Sequence, residues 1–143
     1  MDYVVYVDTR ARELEKLLAG EKTVIVRGSA GRKLPHGRVH ANDRLFFIQN
    51  KGDGMVRASA GVSEVFNSEK LTEEQSSALL KSNQPRLVLT PDQIKRWSGK
   101  RYLVLIEIKD VQPLEPFHIN RSKYGNMDDW LPVEKIENVK KQE

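Results

Sequence analysis

Short runs of apolar, β-favouring residues alternate along the chain with polar stretches rich in Gly, Asn and Asp, a pattern that predicts small strands separated by short helices. Tyr3-Val4-Val5-Tyr6-Val7 is continuously apolar, which suits a strand buried on both faces. Asp8 or Thr9 can then cap a helix that carries Leu14, Leu17 and Leu18 at helical spacing and stops at Gly20. A second strand follows at Thr23 to Val26. Alternation sets Thr23, Ile25 and Arg27 on one face and Val24 and Val26 on the other, so with the valines in the core Ile25 and Arg27 are expected to look outward together. Arg44 to Gln49 and Met55 to Phe66 read as a hairpin around Asn50-Lys51-Gly52-Asp53-Gly54. Ala58, Ala60 and Gly61 are small, and predict a barrel corner in the second arm rather than a flat sheet.

Thr72-Glu73-Glu74-Gln75 is a capping box for a short helix to about Lys81, followed by a polar turn at Pro85 and a strand at Leu87 to Leu89. Thr90-Pro91-Asp92-Gln93 opens another helix, which Gly99 ends. Tyr102 to Ile108 is the clearest strand of all. Pro113 to Phe117 then turns the chain into an irregular segment, His118 to Trp130. Residues 138–143 are expected to be a frayed tail, which leaves a single domain over 1–137. Taken in order, the elements predict an α+β fold, a mixed β-barrel of five to six strands with two to three short helices.

A chain of 143 residues can bury one core and is too short for two ordinary domains. It has no cysteine, which excludes disulfides, thiol nucleophiles and cysteine-based zinc sites. No apolar run reaches the roughly 18 residues of a membrane span, and Met1-Asp2-Tyr3 does not begin a signal peptide, so the expected setting is cytoplasmic, without a membrane partner and with a monomer assumed. The net charge of +4 is modest, but it is segregated. Residues 10–44 carry nine Lys/Arg against four acids, whereas residues 107–137 carry seven acids against four bases. One face meeting a polyanion is the arrangement this suggests, although an unevenly charged solvated surface accounts for it equally.

Gly20-Glu21-Lys22-Thr23-Val24-Ile25-Val26-Arg27 resembles the G-x-K-x-x-E-x-R signature of ASCH domains, a branch of the PUA-like superfamily related to EVE domains. Gly20, Lys22 and Arg27 match it; Ile25 stands where the family has glutamate. The likeness extends loosely over most of the chain, with Ala41 to Phe47 and Tyr102 to Val111 resembling later strands of that barrel. The resemblance implies a PUA-like barrel that binds RNA or holds a modified base, or, in some members, hydrolyses RNA or acetylated cytidine. Carried over, it puts Lys22 and Arg27 in the cleft. Ile25 removes a carboxylate that a hydrolase could use for proton transfer, which favours binding over catalysis.

Two cationic clusters could meet phosphates: Lys22, Arg27, Arg32, Lys33 and Arg38 in the first half, and Lys95, Arg96, Lys100 and Arg101 around the later helix. Gly28-Ser29-Ala30-Gly31, within the first cluster and followed by Arg32-Lys33, is either a backbone nest for a phosphate or a plain flexible loop. Trp97, Tyr124 and Trp130 are possible stacking surfaces, with Trp97 read first as a core anchor, and Asn50, Asn120 and Asn126 could read a base edge. For a hydrolase, Lys22 with Glu64 or Glu74 is the combination to test. His36 and His40 are four apart, but Pro35 and Gly37 oppose the helix that would aim both at a metal, so neither metal nor cofactor is expected. Nucleic acid, RNA foremost, is the expected partner; a protein-interaction module with incidental basic faces is the bland alternative.

Overall fold

In the computed structural model, which describes residues 1–142, six strands form one curled mixed sheet. The elements run β1 (Asp2–Val7), α1 (Glu13–Leu18), β2 (Val24–Ser29), β3 (Arg44–Gln49), β4 (Met55–Asn67), α2 (Glu73–Leu87), α3 (Pro91–Trp97), β5 (Tyr102–His118), β6 (Trp130–Glu134) and a terminal 3-10 turn, Ile136–Asn138. The sheet order is β2-β5-β4-β3-β1-β6, with β1 and β3 parallel and the remaining pairs antiparallel. This is the mixed α+β barrel that the pattern predicts, in the half-barrel form of the PUA-like fold that the resemblance implies.

Curvature comes from β4. Its register slips at Val56/Ala58, Ser59/Gly61 and Val62/Glu64, and each slip bends the strand where the small residues sit. The concave face encloses Val5, Leu17, Ile25, Leu45, Phe47, Val62 and Ile106, while α2 and α3 cover Val24, Val26, Leu103 and Leu105 on the convex side. Val24, Ile25 and Val26 are therefore all buried. The expected outward-facing Ile25 is corrected: both faces of β2 are covered, and Ile25 points into the barrel because α1 closes over that side. Arg27 shares its face but lies at the barrel end, beyond the apolar filling.

Three further elements differ from the sequence pattern. First, α2 continues through Pro85 to Leu87, so there is no strand at 87–89. A proline near the end of a helix removes one hydrogen bond, and here full burial of Leu87 outweighs it, with Gln84 fixing the exit through bonds to Leu89 N and O (3.0 and 2.7 Å). Second, β5 runs on through Pro113 and Pro116, because β2 pairs only with its first half and leaves an edge where a missing N–H costs little. The sixth strand is instead β6, whose Trp130 to Pro132 pair with β1. Third, the chain does not fray at Asn138: Val139 is buried, Lys140 bridges Ile119, and Lys141 N donates to His118 O at 2.9 Å. At the front, Asp8 Oδ1 accepts from Ala11 N (3.0 Å) in the turn before α1, and α1 itself has no side-chain cap.

At Gly28 the side chains of Lys100 and Leu103 fill the space beside β2. A Cβ there would lie 2.7 Å from Leu103 Cδ2 and 3.1 Å from Lys100 Cβ. Gly28→Ala is expected to destabilise the fold by about 1–3 kcal/mol through this overlap, read as a lower urea midpoint at unchanged slope.

Candidate functional site

Arg27 reaches from β2, at one end of the sheet, to β1, the strand next to its other end, and so crosses the seam of the half-barrel. Its Nη1 donates to Val26 O (2.8 Å) and its Nη2 to Tyr6 O (2.7 Å). The guanidinium carbon lies 5.9 Å from the Trp97 ring centre and 5.6 Å from that of Trp130, so two indoles flank the cation. Nε has no hydrogen-bond partner among the described residues; Asp129 Oδ2, at 3.8 Å, supplies charge without a bond. The arginine is held in place yet keeps one donor unspent.

A cleft of two lobes opens at this point. The smaller, about 300 Å³, lies between the end of β2, residues 33–36, the end of α3 and Tyr102. Four cations line it, Arg27, Lys33, Arg96 and Lys100, against the single carboxylate of Asp129. The larger, about 610 Å³, lies between the ends of β1 and α3, the start of α1, the Asn50-Lys51 turn and the loop before β6. There Arg27, Lys51, Arg96 and Arg121 are matched by Asp8, Glu13, Asp128 and Asp129. Arg27, Arg96, Trp97, Met127 and Asp129 border both lobes, which makes one cleft with a positive half and a charge-balanced half.

Beneath the larger lobe sits a buried polar cluster. Glu13 Oε2 accepts from Gln93 Nε2 at 2.9 Å and faces Lys22 Nζ at 3.7 Å. Lys22 also donates to Leu87 O at 2.5 Å, the carbonyl end of α2. With its side chain 1% exposed, Lys22 is no surface contact for phosphate, which corrects its expected role. It joins α1 to α2. Burial, only partly offset by Glu13, pushes its pKa from the ordinary 10.5 down to about 8. Between pH 8 and 10.5 the unfolded chain thus holds a proton that the folded one has released, so this group's contribution to stability rises with pH, by about 3 kcal/mol in all. Urea midpoints across that window are expected to rise for the wild type relative to Lys22→Met, which lacks the group; parallel pH profiles would contradict the shift.

Of the residues predicted as binding, Arg27, Lys33, Arg96, Lys100 and Trp97 line the smaller lobe and Asn50 and Asn126 the larger. Arg32 stands beside the smaller lobe, 5.4 Å over the Tyr102 ring and paired with Glu69 at 3.6 Å. Arg38 in a turn, Lys95 on α3 and Arg101 just before β5 are exposed but line neither lobe. Trp130 is buried against Tyr3, and Tyr124 donates its hydroxyl to Pro132 O at 2.9 Å, so both serve packing. Trp97 combines the two roles, buried in the helix-covered core with an edge on the cleft. The expected Lys22 partners are corrected too: Glu64 lines a separate groove with Phe66 and Arg86, Glu74 is exposed on α2, and Glu13 holds the lysine. Sequence reasoning missed Glu13, Gln93, Lys51, Arg121 and Asp129. Gln93 had a signal, since as the third residue of its capping box it was fixed in place; Glu13 had none beyond being an acid on an apolar helix face.

The half-barrel and its seam cleft have the α+β architecture of a PUA-like fold. Among solved structures, the ASCH protein of Zymomonas mobilis matches with a TM-score of 0.69 over 96% of this chain and 92% of that one, at 15% identity. Two mutant forms of the same protein give 0.70 over 95% and 92% at 15% identity, and 0.63 over 82% and 73% at 14%. The chain therefore has the ASCH fold. No protein-family model matches the sequence, and no curated protein does.

Proposed function

We propose that this protein binds single-stranded nucleic acid, RNA foremost, with backbone phosphates in the positive lobe and an unpaired base in the charge-balanced one. The observation that carries the reading is the division of charge across Arg27: four cations against one carboxylate on one side, and four against four on the other. A polyanion's phosphates favour the first environment; a neutral, polar, planar group favours the second. The ASCH fold supports it as well, since the resemblance to that family implies RNA-linked roles.

Fluorescence anisotropy with short single-stranded RNA, duplex RNA and DNA across a salt series tests it, with the probes run on a gel afterwards. Single-stranded RNA is expected to bind best, with affinity falling linearly on a log–log salt plot. Lys33→Ala and Lys100→Ala should each flatten that slope by about 0.7, and Lys95→Ala, outside the cleft, should leave it unchanged. Equal slopes in all four proteins would remove the phosphate lobe. Shortened probes would turn the reading toward an RNA hydrolase, and no affinity for any probe at low salt would overturn it.

A further inference from the structure

We infer that Glu13 reads the edge of the base in the larger lobe and selects bases that carry an amino group, namely adenine, cytosine and guanine over uracil. The inference rests on the nucleic-acid reading of the cleft and concerns what that reading leaves open, the identity of the base.

The argument is one of unspent hydrogen-bonding capacity. Glu13 is 5% exposed in its side chain, yet it borders the larger lobe together with Arg27. Its two oxygens are not equivalent. Oε2 is occupied by Gln93 Nε2 and Lys22 Nζ. The orientation of Gln93 is set by the capping box, where its Oε1 accepts from Thr90 N at 3.1 Å and so turns Nε2 toward Glu13. Among the described residues Oε1 receives only a long bond, 3.4 Å, from Asp8 N. A carboxylate oxygen can accept two hydrogen bonds, so Oε1 keeps room for a donor, and a buried acceptor left short is costly.

An acceptor with room for a donor, on a residue of the lobe's wall, fits a base that offers an amino group. Cytosine presents an amino group beside a ring nitrogen and a carbonyl; adenine and guanine likewise carry an amino group next to acceptors. Uracil's only edge donor is its ring N–H, which two carbonyl oxygens flank, and these would face the carboxylate. Phosphate is disfavoured in this lobe for the same reason.

The test compares single-stranded RNAs identical except for one central nucleotide. Wild type is expected to bind the cytidine and adenosine probes about tenfold tighter than the uridine probe, and Glu13→Gln to bring the ratio close to one. Because Glu13 also pairs with a buried lysine, a second measurement leaves the protein unchanged: on the wild type, pyrimidin-2-one riboside in place of cytidine, or purine riboside in place of adenosine, deletes only the amino group. Each is expected to lose the same tenfold. Salt-dependent binding with cytidine, uridine and the amine-free probes equal would overturn the inference and leave the nucleic-acid reading standing. No binding to any probe would overturn both.

Discussion

Lys22→Met is expected to lower stability by about 3–5 kcal/mol at neutral pH, the range seen when one partner of a buried ion pair is removed. The cation lies between the Glu13 carboxylate and the Leu87 carbonyl at the end of α2, and methionine fills its volume while satisfying neither. What remains is a carboxylate held by Gln93 and a long bond from Asp8 N, with most of its compensating charge gone. The double variant Glu13→Gln, Lys22→Met, which removes both charges, should recover a substantial part of the loss, because the large term is the unpaired charge and not the pair itself. Urea unfolding of the four proteins closes the cycle. A single-variant loss below about 1 kcal/mol at unchanged slope would mean that the lysine is a tether without electrostatic weight.

Arg27→Lys is expected to weaken binding of single-stranded RNA by about 10- to 100-fold. The guanidinium bonds Val26 O and Tyr6 O with its two terminal nitrogens while aiming Nε elsewhere, and it stacks between Trp97 and Trp130. An ammonium keeps the charge but cannot do these things at once: it has no planar fork, and a compact cation spends its donors on the nearest carbonyls. The loss should appear with intact folding, which the fluorescence of Trp97 and Trp130 reports directly. The salt slope should change little, because the charge is conserved. A variant that binds within twofold of wild type would place the ligand away from the seam.

These two residues also show how far the sequence could be read. Lys22 and Arg27 stand five apart in one resemblance motif and looked like a pair of cleft cations. One is sealed under α2 and the other closes the barrel seam, because the strand between them starts behind a helix and ends at an opening. The spacing carries no information about that difference. Glu13 shows the converse: nothing in its neighbourhood along the chain marks it, and it gains chemical meaning from the fold, which sets it against Lys22 and against Gln93, 80 residues away.

What the sequence determined by itself was local. Continuous apolar runs specified β1 and the first half of β5, Asp-Gly specified the β3–β4 turn, small residues specified the bends of β4, and two capping boxes specified the starts of α2 and α3. Each depends on backbone sterics or hydrogen bonds among residues a few positions apart. What only the tertiary structure decided was which side of each element met solvent. Ile25 became core because α1 covers it, α2 passed through Pro85 because Leu87 is fully buried, and β6 replaced the predicted strand at 87–89 because β1 offered it an edge. The cleft belongs to this second class. Its two lobes are made by residues from both ends and the middle of the chain, and their charges are balanced or unbalanced only once the sheet has curled and brought them to one seam.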